Sequence, residues 1–143
     1  MIEASRRQII PDTNFIVSML KQRRDFDVEV RSAILGRVTI VVLDLVLLEL
    51  ERLARKGSAG ITTWANAGLA FVRHRAYPIV EHLPGPSDVD SALVAFALWD
   101  RVPTTIATID RDLRTALRAL GIPTIVPRSG HGLVVDPFSH LAT

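Results

Sequence analysis

The fold is decided by the stretch Gln8-Ile9-Ile10-Pro11-Asp12-Thr13-Asn14-Phe15-Ile16-Val17, which places one carboxylate between two apolar runs. The first run is typical of a buried strand, and the second of the first turn of a helix that Asn14 can cap. Asp12 would then lie at the carboxyl end of a strand, the edge at which open α/β sheets bind ligands. Any acidic residue that follows another strand of the same sheet would lie close to it.

Apolar, β-branched runs alternate with helical stripes along the rest of the chain. Further strands are predicted at 38–42, 77–80, 104–109 and 123–126, with an added edge strand at 133–135. Helices are predicted at about 14–22, 27–35, 45–55, 61–74, 87–99 and 111–120. The alternation predicts a three-layer α/β/α fold with a mainly parallel central sheet. We expect a single domain over residues 1–143, with a core at about 7–127 and a short C-terminal extension.

Composition limits the class of protein. The 143 residues include no cysteine, which excludes disulfides and thiolate metal sites and is expected of a cytoplasmic protein. No signal peptide is predicted, because the N-terminal segment at residues 1–7 has no apolar run. No membrane span is predicted either, because no apolar run approaches the roughly 20 residues that a span needs. The formal net charge is +2, and arginine supplies 15 of the 17 basic residues. Arginine suits phosphate contacts, although a solvated basic surface explains the composition equally well.

Four acidic residues occupy comparable positions in this predicted topology. Asp12 and Asp110 end strands, Glu49 lies about one turn into the helix after the second strand, and Asp90 lies in the first turn of the helix from Ser87. Strand ends and helix starts share one edge of a parallel sheet, so the four carboxylates could face one crevice. Such a cluster repels itself unless a cation binds. Oxygen ligands without cysteine or suitably spaced histidine favour Mg²⁺ or Mn²⁺, which can activate water against a phosphodiester.

Each of these acids also has a purely structural interpretation. Asp12 could be an ordinary helix-entry residue, Asp110 could cap its helix, and Ser87 with Asp90 could form a capping box. Glu49 could pair with an arginine of its own helix. Taken one at a time these interpretations suffice, whereas four acids at one edge of an α/β sheet together favour a site.

Other polar residues give weaker patterns. Arg111, Arg114 and Arg118 recur at helical spacing and begin beside Asp110, so this ridge could bind a phosphate backbone; a solvated helix face is the alternative. The histidines have no metal-binding spacing and are expected at the surface or in packing: His74, His82, His131 and His140.

Four segments in this order resemble the PIN-domain family: Asp12-Thr13-Asn14-Phe15, then residues 46–53, 90–95 and 107–113. The resemblance covers roughly residues 8–127. It implies an α/β/α fold with a parallel sheet and Mg²⁺- or Mn²⁺-dependent endoribonuclease activity on RNA. It places catalysis and metal binding on Asp12, Glu49, Asp90 and Asp110. Further residues take lesser roles: Asp112 as an accessory metal ligand, Asp88 as an alternative one, and Thr13, Asn14 and Thr108 as supports.

The resemblance is closest to archaeal PIN proteins related to ribosomal RNA processing. The alternatives are a ribonuclease toxin paired with an antitoxin protein, and a catalytically silent module that binds RNA or protein. A homodimer is also left open. Two other acidic α/β classes fit less well: a receiver domain needs a late lysine, but Lys21 and Lys56 come early, and a haloacid-dehalogenase-type phosphatase needs an acid where Asn14 stands.

Overall fold

Strand β1 (Arg6–Pro11) lies inside the main sheet because Ile9 and Ile10 are buried on its two faces. The computed structural model describes residues 6–128 and 132–136, so His131, His140 and the predicted loop at Ser129-Gly130 lie outside it. The other strands are β2 (Arg37–Ile40), β3 (Val42–Leu43), β4 (Ile79–Val80), β5 (Thr104–Ala107), β6 (Thr124–Pro127) and β7 (Leu133–Asp136). The helices are α1 (Thr13–Lys21), α2 (Phe26–Ala33), α3 (Asp44–Lys56), α4 (Ala59–His74), α5 (Val89–Trp99) and α6 (Arg111–Ala119).

The main sheet has the strand order β2-β1-β5-β6-β7. Its first four strands pair in parallel, and β7 pairs antiparallel with β6 at the edge. The predicted α/β fold with a mainly parallel sheet is therefore confirmed, together with the edge strand near 133–135. Because β1 and β5 are direct neighbours, Asp12 and Asp110 follow adjacent strands.

The prediction of one continuous strand at 38–42 was wrong. The chain changes partner within this run: the Val41 N–H donates to the Ile9 carbonyl, and the Val42 N–H donates to the Pro78 carbonyl, both at 2.9 Å. Strand β3 then pairs in parallel with β4 in a separate two-stranded sheet. Helices α3 and α5 follow this small sheet, whereas α1 and α6 follow the main one.

Helix α4 packs closely against α1 and α3 at Gly68. A Cβ atom at this position would lie 3.2 Å from Ile16 Cγ2 and 3.3 Å from Leu50 Cδ2, so only a glycine fits without displacement. This contact fixes α3, which carries Glu49, against the rest of the core. Among the described residues, no helix combines the length and apolar character needed to cross a membrane.

Candidate active site

Asp12 is held at the end of β1 by backbone and side-chain hydrogen bonds. Its N–H donates to the Ala107 carbonyl at 2.9 Å. Carboxylate atom Oδ1 accepts from the Phe15 N–H at 2.7 Å, and Oδ2 accepts from the Thr108 hydroxyl at 2.5 Å. Asp12 therefore caps α1, and the predicted cap at Asn14 was wrong. Only 4% of Asp12 is exposed, so its position is fixed by the fold.

Thr108 connects Asp12 to Asp110. Its hydroxyl oxygen also accepts from the Asp110 N–H at 3.0 Å, and the residue is fully buried. Asp110 in turn caps α6, with Oδ1 accepting from Asp112 N at 2.8 Å and Leu113 N at 3.1 Å. The capping interpretation thus holds for Asp110, and Asp12 also caps a helix. It is compatible with ligand binding, because a carboxylate has about four lone-pair sites and these caps use only some of them.

The acidic pocket is a cavity of about 300 Å³ where the carboxyl ends of β1 and β5 meet the starts of α5 and α6. Its lining includes all four of the main predicted acids and three further polar residues: Asp12, Glu49, Asp90 and Asp110, with Thr13, Asn14 and Asp88. Thr13 has a buried hydroxyl without a hydrogen-bond partner in the described part of the chain. Asp112 is not part of this lining.

Asp88, and not Ser87, caps α5, because its Oδ2 accepts from the Ser91 N–H at 2.9 Å. The predicted capping box of Ser87 with Asp90 was therefore wrong. Asp90 is left facing the pocket without a capping role. Within residues 6–128 and 132–136, Glu49 belongs to no ion pair, so the alternative of a pair along its own helix is not observed either.

The pocket disfavours its own negative charge. Burial raises the pKa of Asp12 to about 6, against the opposing hydrogen bonds from Thr108 and Phe15. Burial also raises the pKa of Asp90, and the nearby carboxylates, chiefly Asp110, add to the effect. Carboxylates in this state bind either protons or a cation.

The donors of the pocket fit a hard divalent ion. Apart from the Asn14 amide nitrogen, the polar side-chain atoms that line the pocket are all oxygens. Oxygen ligands are those that Mg²⁺ and Mn²⁺ prefer. In the described ranges, no three His, Asp or Glu side chains form a group that could hold a metal ion as positioned. Mg²⁺ usually keeps several waters and binds through one or two carboxylates, so a pair of pocket acids with water would suffice.

The arginine ridge lies on the flank of α6, where its three members line a shallow hollow with Thr115. Arg114 Nε donates to Asp136 Oδ2 at 2.8 Å, and Arg118 pairs with the other oxygen of the same carboxylate. Although burial raises the pKa of Asp136, these two hydrogen bonds lower it overall. Sequence reasoning missed Asp136, because its contact crosses from β7 to α6 and leaves no local pattern. Arg111 has no acidic partner among the described residues.

Known proteins resemble the chain over most of its length. Ribonuclease VapC4 of Methanocaldococcus jannaschii is 29% identical over 121 residues, covering 85% of this chain and 90% of that protein. The solved structure of the PIN domain endonuclease Utp24 superposes with a TM-score of 0.76 at 21% identity, covering 95% of this chain and 96% of that one.

No protein-family model matches the chain. The structural likeness to a PIN domain nevertheless extends over 95% of the chain, and the sequence likeness to a ribonuclease over 85%. Both agree with the ordered motifs from which the family resemblance was predicted, and the chain has the fold of a PIN domain.

Proposed function

We propose that this protein is an endoribonuclease that hydrolyses RNA phosphodiester bonds with Mg²⁺ or Mn²⁺ as its cofactor. The observation that carries the proposal is the single pocket into which the fold brings Asp12, Glu49, Asp90 and Asp110. The similarity to a protein named as a ribonuclease supports RNA as the substrate.

Residues of the chain would bind and orient the reacting groups. A divalent ion bound in the pocket would supply Lewis-acid chemistry, polarising the phosphodiester and favouring deprotonation of water. Thr108 fixes the carboxylate of Asp12 and the backbone of Asp110 through one hydroxyl, so the two acids keep a constant separation. Helices α1, α5 and α6 start at the pocket, and their positive ends offset part of the negative charge.

Cleavage of RNA in the presence and absence of EDTA tests the proposal. We expect cleavage with Mn²⁺ or Mg²⁺, none with EDTA, and a fall of several orders of magnitude for Asp110→Asn, because that change keeps the shape of the cap but removes a charge. Asp25→Asn is the matched control, since Asp25 caps α2 and does not line the acidic pocket. A wild-type protein that binds RNA but cleaves none with either ion would instead be the silent module.

Two cellular roles are compatible with an endoribonuclease of this kind. The sequence favours ribosomal RNA processing, with a toxin of a toxin–antitoxin pair as the alternative. Expression of the active chain alone in a bacterial host separates them. A toxin is expected to arrest growth unless Asp110 is replaced, whereas a processing enzyme leaves growth unchanged.

A further inference from the structure

A groove of about 460 Å³ runs between α5 and α6, beside the acidic pocket. Its apolar walls are formed by Val94, Ala95, Leu98, Leu113 and Ala116. Leu98 is 55% exposed although it is a large apolar residue, so the groove presents apolar surface to solvent. Such a surface beside a polar site is typical of a ligand-binding groove.

The groove adjoins the acidic pocket. Asp90 belongs to the lining of both. Helices α5 and α6 both begin at this edge, so the groove starts at their first turns and follows them away from the pocket. A polymer with one phosphate in the acidic pocket would therefore place a neighbouring unit in the groove.

The opposite flank of α6 carries the arginine ridge. With 3.6 residues per turn, Asp112 and Ala116 share one side of α6, and Arg111 and Arg118 lie about a quarter-turn or more away. Proteins that bind single-stranded nucleic acid commonly combine a basic track for the phosphates with an apolar or aromatic surface for the bases. The two flanks of α6 provide this combination, with Arg111 as the ridge residue that no described acid neutralises.

Asp112 stands at the start of the groove. Its backbone N–H is used in the α6 cap, but within the described ranges its exposed carboxylate accepts no hydrogen bond. A carboxylate in this position can accept from the exocyclic amino group of cytosine, adenine or guanine. Uracil has no amino group, so it would be bound less well.

We infer that the groove between α5 and α6 binds a nucleobase next to the cleaved phosphate of single-stranded RNA, and that Asp112 selects bases with an amino group. This inference rests on the proposed endoribonuclease function. It gives Asp112 a role in choosing the cleavage site instead of the accessory metal-ligand role expected from the family resemblance.

Leu98→Glu tests the groove by replacing an apolar residue of its wall with a charged one. Leu35→Glu is the matched control, because Leu35 is 68% exposed and lies in the α2–β2 connection, outside the groove. We expect Leu98→Glu to raise KM for single-stranded RNA roughly tenfold with kcat unchanged, which corresponds to the loss of one bound base. Leu35→Glu should behave as the wild type. A Leu98→Glu variant with wild-type KM but an altered sedimentation coefficient would overturn the inference in favour of a protein-docking surface.

Asp112→Asn tests base selection. Asparagine can accept from an amino group and can also donate to a uracil carbonyl, so we expect cleavage to continue while the preference for cytosine over uracil at the adjacent position falls to within about twofold. A metal ligand would behave differently, since its loss would slow cleavage of every sequence to the same extent. That uniform loss would overturn the role given to Asp112.

Photo-cross-linking separates failure of the inference from failure of the proposed function. An oligoribonucleotide carrying 5-iodocytidine, irradiated with the full chain and Mn²⁺, should cross-link to peptides of α5 or α6 that line the groove. Cross-links there without any cleavage would support the groove and reject the endoribonuclease. Cleavage with cross-links only elsewhere would support the endoribonuclease and reject the groove.

Discussion

Asp12→Asn removes an ionisable carboxylate from the pocket, and the pH dependence of folding stability measures the effect. Burial raises the pKa of Asp12 from an ordinary value near 3.8 to about 6. The folded protein therefore keeps this proton to a higher pH than the unfolded chain does. The contribution of Asp12 to stability consequently falls as pH rises from about 4 to about 6, and above that window the ionised group destabilises the ion-free protein.

The size of the effect follows from the same shift. About two pKa units correspond to about 3 kcal/mol. Asparagine is as good a helix cap as aspartate, and its amide can still meet the Phe15 N–H and the Thr108 hydroxyl. The pKa of about 6 is already the net result of burial and of these two hydrogen bonds, so no further loss is subtracted. The variant should therefore be more stable than the wild type by about 3 kcal/mol at pH 8, or about 6–12 °C in Tm.

Thermal melts in EDTA at pH 4.5 and pH 8 provide the assay. The gain should appear at pH 8 and vanish at pH 4.5, where Asp12 is protonated in the wild type. Mn²⁺ should then raise the Tm of the wild type but not that of the variant. Asp25→Asn serves as the control and should lose stability at both pH values, because it weakens the ion pair with Arg75. An Asp12→Asn protein that is equally destabilised at both pH values would show that the carboxylate is only a cap.

Three further predictions concern Thr108, Asp136 and removal of the ion. Thr108→Val keeps the shape but removes the hydroxyl that bonds Asp12, so RNA cleavage should fall 10–100-fold at unchanged RNA affinity; unaltered cleavage would exclude a positioning role. Asp136→Asn weakens the ion pairs of Arg114 and Arg118, so RNA binding should tighten at low salt and depend more steeply on salt. If the variant and the wild type bind RNA equally at every salt concentration, the ridge is only a solvated helix face. In wild-type protein, EDTA should lower Tm at pH 8 but not at pH 4.5, which calorimetry with added Mn²⁺ checks.

The positions of Asp12 and Asp110 could be predicted because each follows a strand that the apolar pattern reveals. Parallel strands then bring both to one edge whatever the details of the loops. The change of partner at Val41 could not be predicted, because a β-branched run indicates a strand without indicating which strand it pairs with. The contacts of Asp136 were also hidden, since they join residues 18 and 22 positions apart across β7 and α6.

The residues that cap the helices around the site could not be predicted from the sequence. Sequence patterns place a helix start only to within one or two residues. A shift of that size explains why the N-cap of α1 was predicted at Asn14 instead of Asp12. It also explains why the start of α5 was predicted at Ser87, whereas Asp88 is the N-cap. The same geometry decides the place of Asp112: Asp110 binds its N–H in the first turn of α6, and the side chain then lines the groove and not the acidic pocket.

The acidic pocket is assembled across two separate sheets. Asp12 and Asp110 follow adjacent strands of the main sheet, whereas Glu49 and Asp90 follow β3 and β4 of the small one. An ion shared between the two pairs would act as a non-covalent cross-link, and the small sheet would open less often once it is bound. Backbone amide exchange at β3 and β4 would then slow on addition of Mn²⁺ more than exchange at β1 and β5, so that the shortest of the described strands would report whether the ion is bound.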